Sequence, residues 1–299
     1  MASPLSSHKA PPVPSEESGA SSFGSCGNCG AALSGPFCSQ CGEKKLSPKD
    51  YSIGHLVEEA VGDFTHFDTR FLRTLKLLFT KPGALSNAYF HGGRSRYTKP
   101  LALFIILNVI FFIVQPHTGL FHDRYAQYMK DPKVSAAVLA RLRQTREPEK
   151  SYEARFNANL QNQKKSLLIV SVPVLALFMT LAFAGAGRTF AEHLIFSVQV
   201  YAFLLSYLAV IAIVLFYPIN LLLRSIGPTA PIRRIFEGEI WLWALVITGL
   251  TVYMYLGFRR AYGVSRLRAG RSSLILPWFV LYLTGVYHTA LFYATFWTT

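Results

Sequence analysis

An all-α polytopic membrane fold of about five transmembrane helices, with a small cysteine-built ribbon at its N-terminus, is the architecture this sequence predicts. Three observations predict it. The 299 residues are 51% hydrophobic. The apolar residues gather into stretches close to the ~20 residues that a helix needs to cross a bilayer core. All four cysteines fall within sixteen residues ahead of the first such stretch.

Residues 1–25 are rich in Ser, Pro and Ala and lack the apolar core and cleavage pattern of a secretory leader. They bury too little apolar area to offset chain entropy, so a disordered tail is expected. Cys26-Gly-Asn-Cys29 and Cys38-Ser-Gln-Cys41 follow as two C-x2-C knuckles. Zinc takes four thiolates in a closed tetrahedron, and each knuckle supplies two converging sulfurs. Residues 26–45 therefore predict a zinc ribbon holding one structural Zn2+ through Cys26, Cys29, Cys38 and Cys41. Gly30 and Gly42, just past each second cysteine, suit the positive φ with which such a chain turns away from its metal. Two disulfides or four free thiols are the competing readings, and both fit poorly outside a secreted context. Thiolates need a reducing space, which places the N-terminus in the cytoplasm.

Over residues 51–80, Ile53, Leu56, Val57, Ala60, Phe64, Phe67, Phe71, Leu75 and Leu78 recur at three- and four-residue steps, one face of a helix. Arg70, Arg73 and Lys76 fall off that stripe, and Lys81-Pro82-Gly83 stops it. Bulky apolar residues beside basic ones predict a helix lying in the headgroup plane. A soluble helix packed under the ribbon is the alternative.

The membrane domain is expected over residues 98–299, with spans near 98–116, 167–186, 194–216, 240–258 and 274–297. The first is the marginal one, because Leu101 to Val114 is apolar over only fourteen residues and could also lie at the interface. Pro100 suits the first turn of a helix, where its missing N–H costs nothing. Residues 117–165 are expected as a polar loop. Positive residues favour the cytoplasmic side of short loops. Arg259, Arg260, Arg266, Arg268 and Arg271, with no acid between them, agree with five spans from a cytoplasmic start. The stretch Gln115 to Ser166, ten Lys and Arg against five acids, does not, although long segments obey the rule poorly.

A net charge of +14 raises the question of nucleic acid. Residues 1–41 hold only Lys9 against Glu16 and Glu17, whereas phosphate binding needs a cationic face. The positive charge gathers beside the spans, at Arg94, Arg96, Lys99 and the arginine loop, where the lipid bilayer is the simpler partner.

Paired knuckles, Phe71-x2-Thr74-Leu75, Lys81-Pro82-Gly83, Tyr89, Gly92-Gly93-Arg94-x-Arg96-Tyr97 and Pro100 leading into a span resemble the bacterial zinc-ribbon membrane proteins grouped as domain of unknown function 3667. Glu192-His193-Leu194 and Arg259-Arg260-Ala261-Tyr262-Gly263 are similar to later parts of that pattern. The resemblance implies a multi-pass protein of the bacterial inner membrane and implies no activity. Where the family's helix continues from Glu-His with two further histidines, this chain has Gln199 and Tyr201, which argues against a shared metal site there.

Polar groups at membrane depth are the remaining places for chemistry. Glu192, His193, Ser197, Gln199, Tyr201 and His288 form the candidate cluster, and His193, Ser197 and Tyr201 share one helical face. Their bland reading is hydrogen bonding between helices. No serine, cysteine or paired-carboxylate arrangement suits hydrolysis, so no enzyme is expected. The sequence favours a scaffold whose ribbon docks a cytoplasmic protein partner. The rival is a transporter of a small solute or lipid, or a lipid-acting enzyme, built around His193.

Overall fold

The computed structural model describes residues 24–45, 69–93, 96–118, 125–225 and 240–299. The expected tail, the first part of the 51–80 helix and Arg94 fall largely or wholly outside those residues. The described residues are helical apart from turns and two isolated bridges in the ribbon, Ser25 with Ala32 and Phe37 with Lys44.

The helices in chain order are α1 (Thr69–Thr80), α2 (Ala84–Phe90), α3 (Pro100–Thr118), α4 (Tyr125–Tyr128), α5 (Pro132–Thr145), α6 (Glu149–Ala182), α7 (Phe190–Ile211), α8 (Tyr217–Ser225), α9 (Ile240–Gly257) and α10 (Arg266–Thr298). Two π-helical turns, Ala212–Phe216 and Phe258–Tyr262, extend α7 and α9. Four helices are long and apolar enough to cross a membrane, and α6, bent by 45° between Glu149–Lys164 and Leu168–Ala182, makes a fifth if it counts as one span. The marginal stretch has become a 19-residue helix, α3, because Pro100 opens it and Gln115 to Thr118 lengthen it.

The centre of the bundle is α7, most of whose residues are buried. A helix apolar all round suits either a protein core or a lipid surround, and here α3 and α6 pack along it while α10 packs on α6 and α9. Its start is fixed by a capping box, in which Thr189 accepts from the Glu192 N–H and Glu192 accepts from the Thr189 N–H.

Within the stretch expected as a polar loop, 117–165, the described residues from Tyr125 on are mostly helical. α4, α5 and the first half of α6 form a second apolar core from Tyr125, Val138, Leu142, Tyr152, Phe156 and Leu160 with Tyr287, Leu291 and Phe292 of α10. Tyr152, Phe156 and Leu160 repeat every four residues, a helical stripe outweighed by the polar residues around it. The helix that holds the expected last span, 274–297, runs past it at both ends. A helix of 33 residues is roughly 50 Å long, well beyond a ~30 Å hydrocarbon core. Its final turns meet polar partners: Arg141 Nη1 donates to Phe296 O at 2.7 Å, Gln163 Nε2 to Thr298 Oγ1 at 2.7 Å and Asn159 Nδ2 to Thr298 O at 3.3 Å. The bend in α6 lies where Tyr287 Oη donates to Lys164 O at 2.7 Å, competing for a carbonyl of the helical ladder.

Helix α1 also differs from expectation. The described part of its apolar stripe faces protein, with Phe71 and Leu78 in the main core and Leu75 packed against it, while Arg70, Arg73 and Lys76 face outward. A headgroup-plane helix would leave that stripe on lipid.

The packing of α10 on α6 predicts that Thr299 and the turn near residue 146 share one side of the membrane, opposite Gly185 and the arginine loop. Side-specific reporters fused at these points should give opposite signals for the two groups. Equal signals at Thr299 and Gly185 would refute the arrangement.

Candidate functional site

The ribbon is two copies of one turn. Cys26 N donates to Ala31 O and Cys38 N to Glu43 O, both at 2.8 Å, and Gly30 N and Gly42 N return to Cys26 O and Cys38 O at 2.9 and 2.8 Å. Gly30 and Gly42 have φ of 77° and 71°, the left-handed region that the sequence reading asks of them. The four sulfurs lie within 4.8 Å of one another, with Cys26 to Cys41 at 3.6 Å and Cys29 to Cys38 at 3.5 Å. Four sulfurs held at ~2.3 Å around a tetrahedral ion are about 3.8 Å apart, so this set fits one metal ion. The backbone N–H groups of Cys29 and Asn28 lower the Cys26 thiol to about 7. The Ala31 N–H favours the Cys29 thiolate, but the sulfurs crowded around it and burial push that thiol up to about 12. Four thiolates therefore coexist at neutral pH only when a cation is among them.

The first knuckle is seated on the turn that follows α2. A Cβ added to Gly27 would lie 2.1 Å from His91 O, so any side chain there would lift the ribbon off the His91-Gly92-Gly93 turn. A cavity of about 210 Å³ fills the rest of the seam, lined among others by Glu43, Lys44, Lys45 and His91.

The turn belongs in turn to a helical hairpin, α1 and α2, whose tip is Lys81-Pro82-Gly83. Gly83 has φ of 77°, and a Cβ there would stand 2.7 Å from Gly257 O at the end of α9. Arg260 Nη1 donates to Pro82 O at 2.7 Å, and Ser86 Oγ donates to Gln199 Oε1 at 2.6 Å. Gln199 is the tenth residue of α7. The hairpin thus reaches roughly 14 Å along that helix from its start. Thr98 N donates to Thr74 Oγ1 at 2.9 Å and Tyr89 Oη to Thr98 O at 3.3 Å, tying both arms to the start of α3.

His193 sits beside this hairpin. Its Nδ1 is 2.8 Å from Tyr262 Oη, and its ring stacks on those of Tyr262 and Phe183. Tyr262 closes the π-helical turn at Phe258–Tyr262; such turns re-aim side chains within a helix. Arg188, which the sequence reading did not name, joins the site: Nη1 contacts Glu192 Oε1 at 2.8 Å, Nη2 donates to Ala261 O at 3.0 Å, and the guanidinium lies 4.9 Å over Phe90. Its place before Thr189-x-x-Glu192, one helical turn from Glu192, was the available signal.

The remaining candidates are dispersed. Ser197 Oγ reaches Met179 Sδ at 3.4 Å. Tyr201 and His288 line a cavity in the other half of the bundle, away from His193. Among the basic residues, Arg96, Arg259, Arg266 and Arg271 are exposed and Lys99 is half-buried. Arg268 turns back, donating to Ala184 O at 2.9 Å over the Phe183 ring.

A family model described as Protein of unknown function (DUF3667) matches residues 68–112. That stretch holds the hairpin, the ribbon seat and the first part of α3, and the match supports the resemblance drawn from the sequence. No curated protein and no solved structure matches the chain.

Gly83→Ala is expected to lower stability by more than about 1 kcal/mol, since it adds both left-handed strain and overlap with Gly257. His193→Ala should cost about 0.5 to 2 kcal/mol, the range of hydrogen bonds between membrane helices. Thermal unfolding in detergent measures both, and a Gly83→Ala protein as stable as the parent would remove the hairpin lock.

Proposed function

We propose that the chain is a non-enzymatic docking protein of the bacterial inner membrane, with its N-terminal ribbon in the cytoplasm, one structural zinc ion in that ribbon, and a cytoplasmic protein as partner. The observation that carries this reading is the seat of the ribbon. Its first knuckle rests on the turn of a hairpin whose tip is locked against Gly257, so a partner held by the ribbon is held at a fixed place on the bundle. In the second knuckle Phe37 is 58% exposed beside Cys38. An exposed aromatic on a rigid metal-held turn is a suitable anchor for a partner. Zinc is the proposed ion because four thiolates in a closed tetrahedron suit it and leave no open position for catalysis.

The rival, a transporter or lipid-acting enzyme using His193, has less in its favour. His193 is 1% exposed, Tyr262 occupies its Nδ1, and aromatic rings enclose it. A group so placed contributes to packing and has little access to solute.

Purified protein should carry one equivalent of zinc, and Cys38→Ser should lose most of it while still inserting in the membrane. Less than half an equivalent in the parent would sink the zinc assignment. Metal affinity should fall steeply from about pH 8 to pH 6, because protons compete for the thiolates and Cys26 regains its proton near 7. A photo-crosslinking residue at Phe37 should give a protein adduct that disappears with Cys38→Ser. An adduct that survives loss of the metal would overturn the docking role.

A further inference from the structure

We infer that the cavity between α3, α7, α9 and α10, in the half of the bundle away from the ribbon, binds the carboxylate head of a single-chain lipid. The inference goes beyond the docking role and does not depend on it. The cavity is about 80 Å³. Its walls are mainly apolar, Phe111 and Leu205 among them, and Gln115, Tyr201, Thr284 and His288 bring polar atoms to it.

Tyr201 is the key group. It is 2% exposed and its Oη makes no geometrically defined hydrogen bond, the Ser171 hydroxyl being the polar group nearest at hand to interact with it. A buried hydroxyl left without a partner costs about 1 to 3 kcal/mol, and such groups in native proteins call for a ligand or an ordered water. Gln115 of α3 and Thr284 and His288 of α10 share its cavity from two other helices, the pattern of a binding site: apolar walls with a few placed polar groups.

Charge and size select the ligand. Lys164 is 1% exposed and its Nζ donates to Gln115 Oε1 at 2.8 Å, which sets a positive charge immediately behind one lining residue. Among the described residues, no acidic side chain lines the cavity. An anionic acceptor is therefore favoured over a cation or a bare donor. Each water needs roughly 10–15 Å³ of such space, so the cavity admits only a handful of non-hydrogen atoms. A carboxylate with its first methylenes fits, and a glycerophosphate head does not. Trp243 on α9 and Thr284 and His288 on α10 are partly exposed. The cavity therefore opens sideways between these helices, the face from which an acyl tail would extend into the bilayer.

Trp243 supplies the probe. Trp241→Phe, Trp278→Phe and Trp297→Phe leave it as the sole tryptophan of the full-length protein, and a stearate bearing a nitroxide near its carboxylate serves as quencher. Saturable quenching in detergent is expected, with apparent affinity weakened about five- to tenfold by Tyr201→Phe and by His288→Leu. The methyl ester of the same probe should not saturate. Quenching that rises linearly with probe, that is equal for acid and ester, or that is unchanged in Tyr201→Phe would overturn the inference. The thermal midpoint of ligand-free Tyr201→Phe separates loss of binding from loss of fold, because removing a hydroxyl without a partner should not destabilise the bundle. A Tyr201→Phe protein that is more stable than the parent yet quenched equally would identify the hydroxyl as a plain packing defect.

Discussion

Two glycine backbones in contact, Gly83 at the tip of the hairpin and Gly257 at the end of α9, fix the arrangement of everything at the ribbon end. A Cβ on Gly83 would stand 2.7 Å from Gly257 O, and a Cβ on Gly257 would stand 2.8 Å from the Phe196 ring, so neither glycine can be enlarged without moving what packs on it. The contact admits the hairpin between helices and brings Ser86 within reach of Gln199 and Pro82 O within reach of Arg260. It also sets the height of the His91-Gly92-Gly93 turn, and so the height of the ribbon. A polar side chain such as Gln199 is costly inside a bundle unless a neighbour supplies a hydrogen bond, and the hairpin is that neighbour.

The same end shows how charge can be built into packing. Arg188 neutralises Glu192, covers Phe90 and ties the start of α7 to the π-helical turn after α9. Because Glu192 also caps its own helix, one carboxylate serves both the local and the tertiary structure. Residues that act in two structures at once tolerate substitution poorly, since each change breaks both. His193 and Tyr262 lie within this mesh, which accounts for two motifs far apart in the chain, Glu192-His193 and Arg259-Arg260-Ala261-Tyr262-Gly263, meeting at one place.

The opposite end has a different economy. α4, α5 and the first half of α6 close an aromatic core with the last turns of α10, and Arg141, Asn159 and Gln163 bind the end of that helix. The last turns of α10 thus find polar and aromatic partners in the segment between the first two spans. The bundle is thus fastened at both ends, while its middle keeps a cavity bordered by Tyr201 and His288.

Chain-local physics made part of this legible in advance. The cysteine knuckles could be read because a C-x2-C turn is set by a few adjacent residues, and the apolar helices because length and composition decide whether a segment suits a bilayer. The helical stripe of Tyr152, Phe156 and Leu160 was present in the sequence but masked by the polar residues around it. The face that carries His193, Ser197 and Tyr201 was also legible, since a helix repeats every few residues. What each of them meets was not: Tyr262 lies 69 residues from His193, and Ser86 lies 113 residues from Gln199. Periodicity states which side chains leave a helix together, and only packing decides where they arrive. The sequence by itself determined a tetrathiolate ribbon ahead of an all-helical membrane bundle, because both follow from short-range chemistry. The tertiary structure decided that residues 69–80 pair with α2 as a hairpin on the bundle, that the polar face divides between a packed histidine and a cavity, and that the last turns of α10 pack on α5 and α6, because each depends on contacts between segments that no local pattern records.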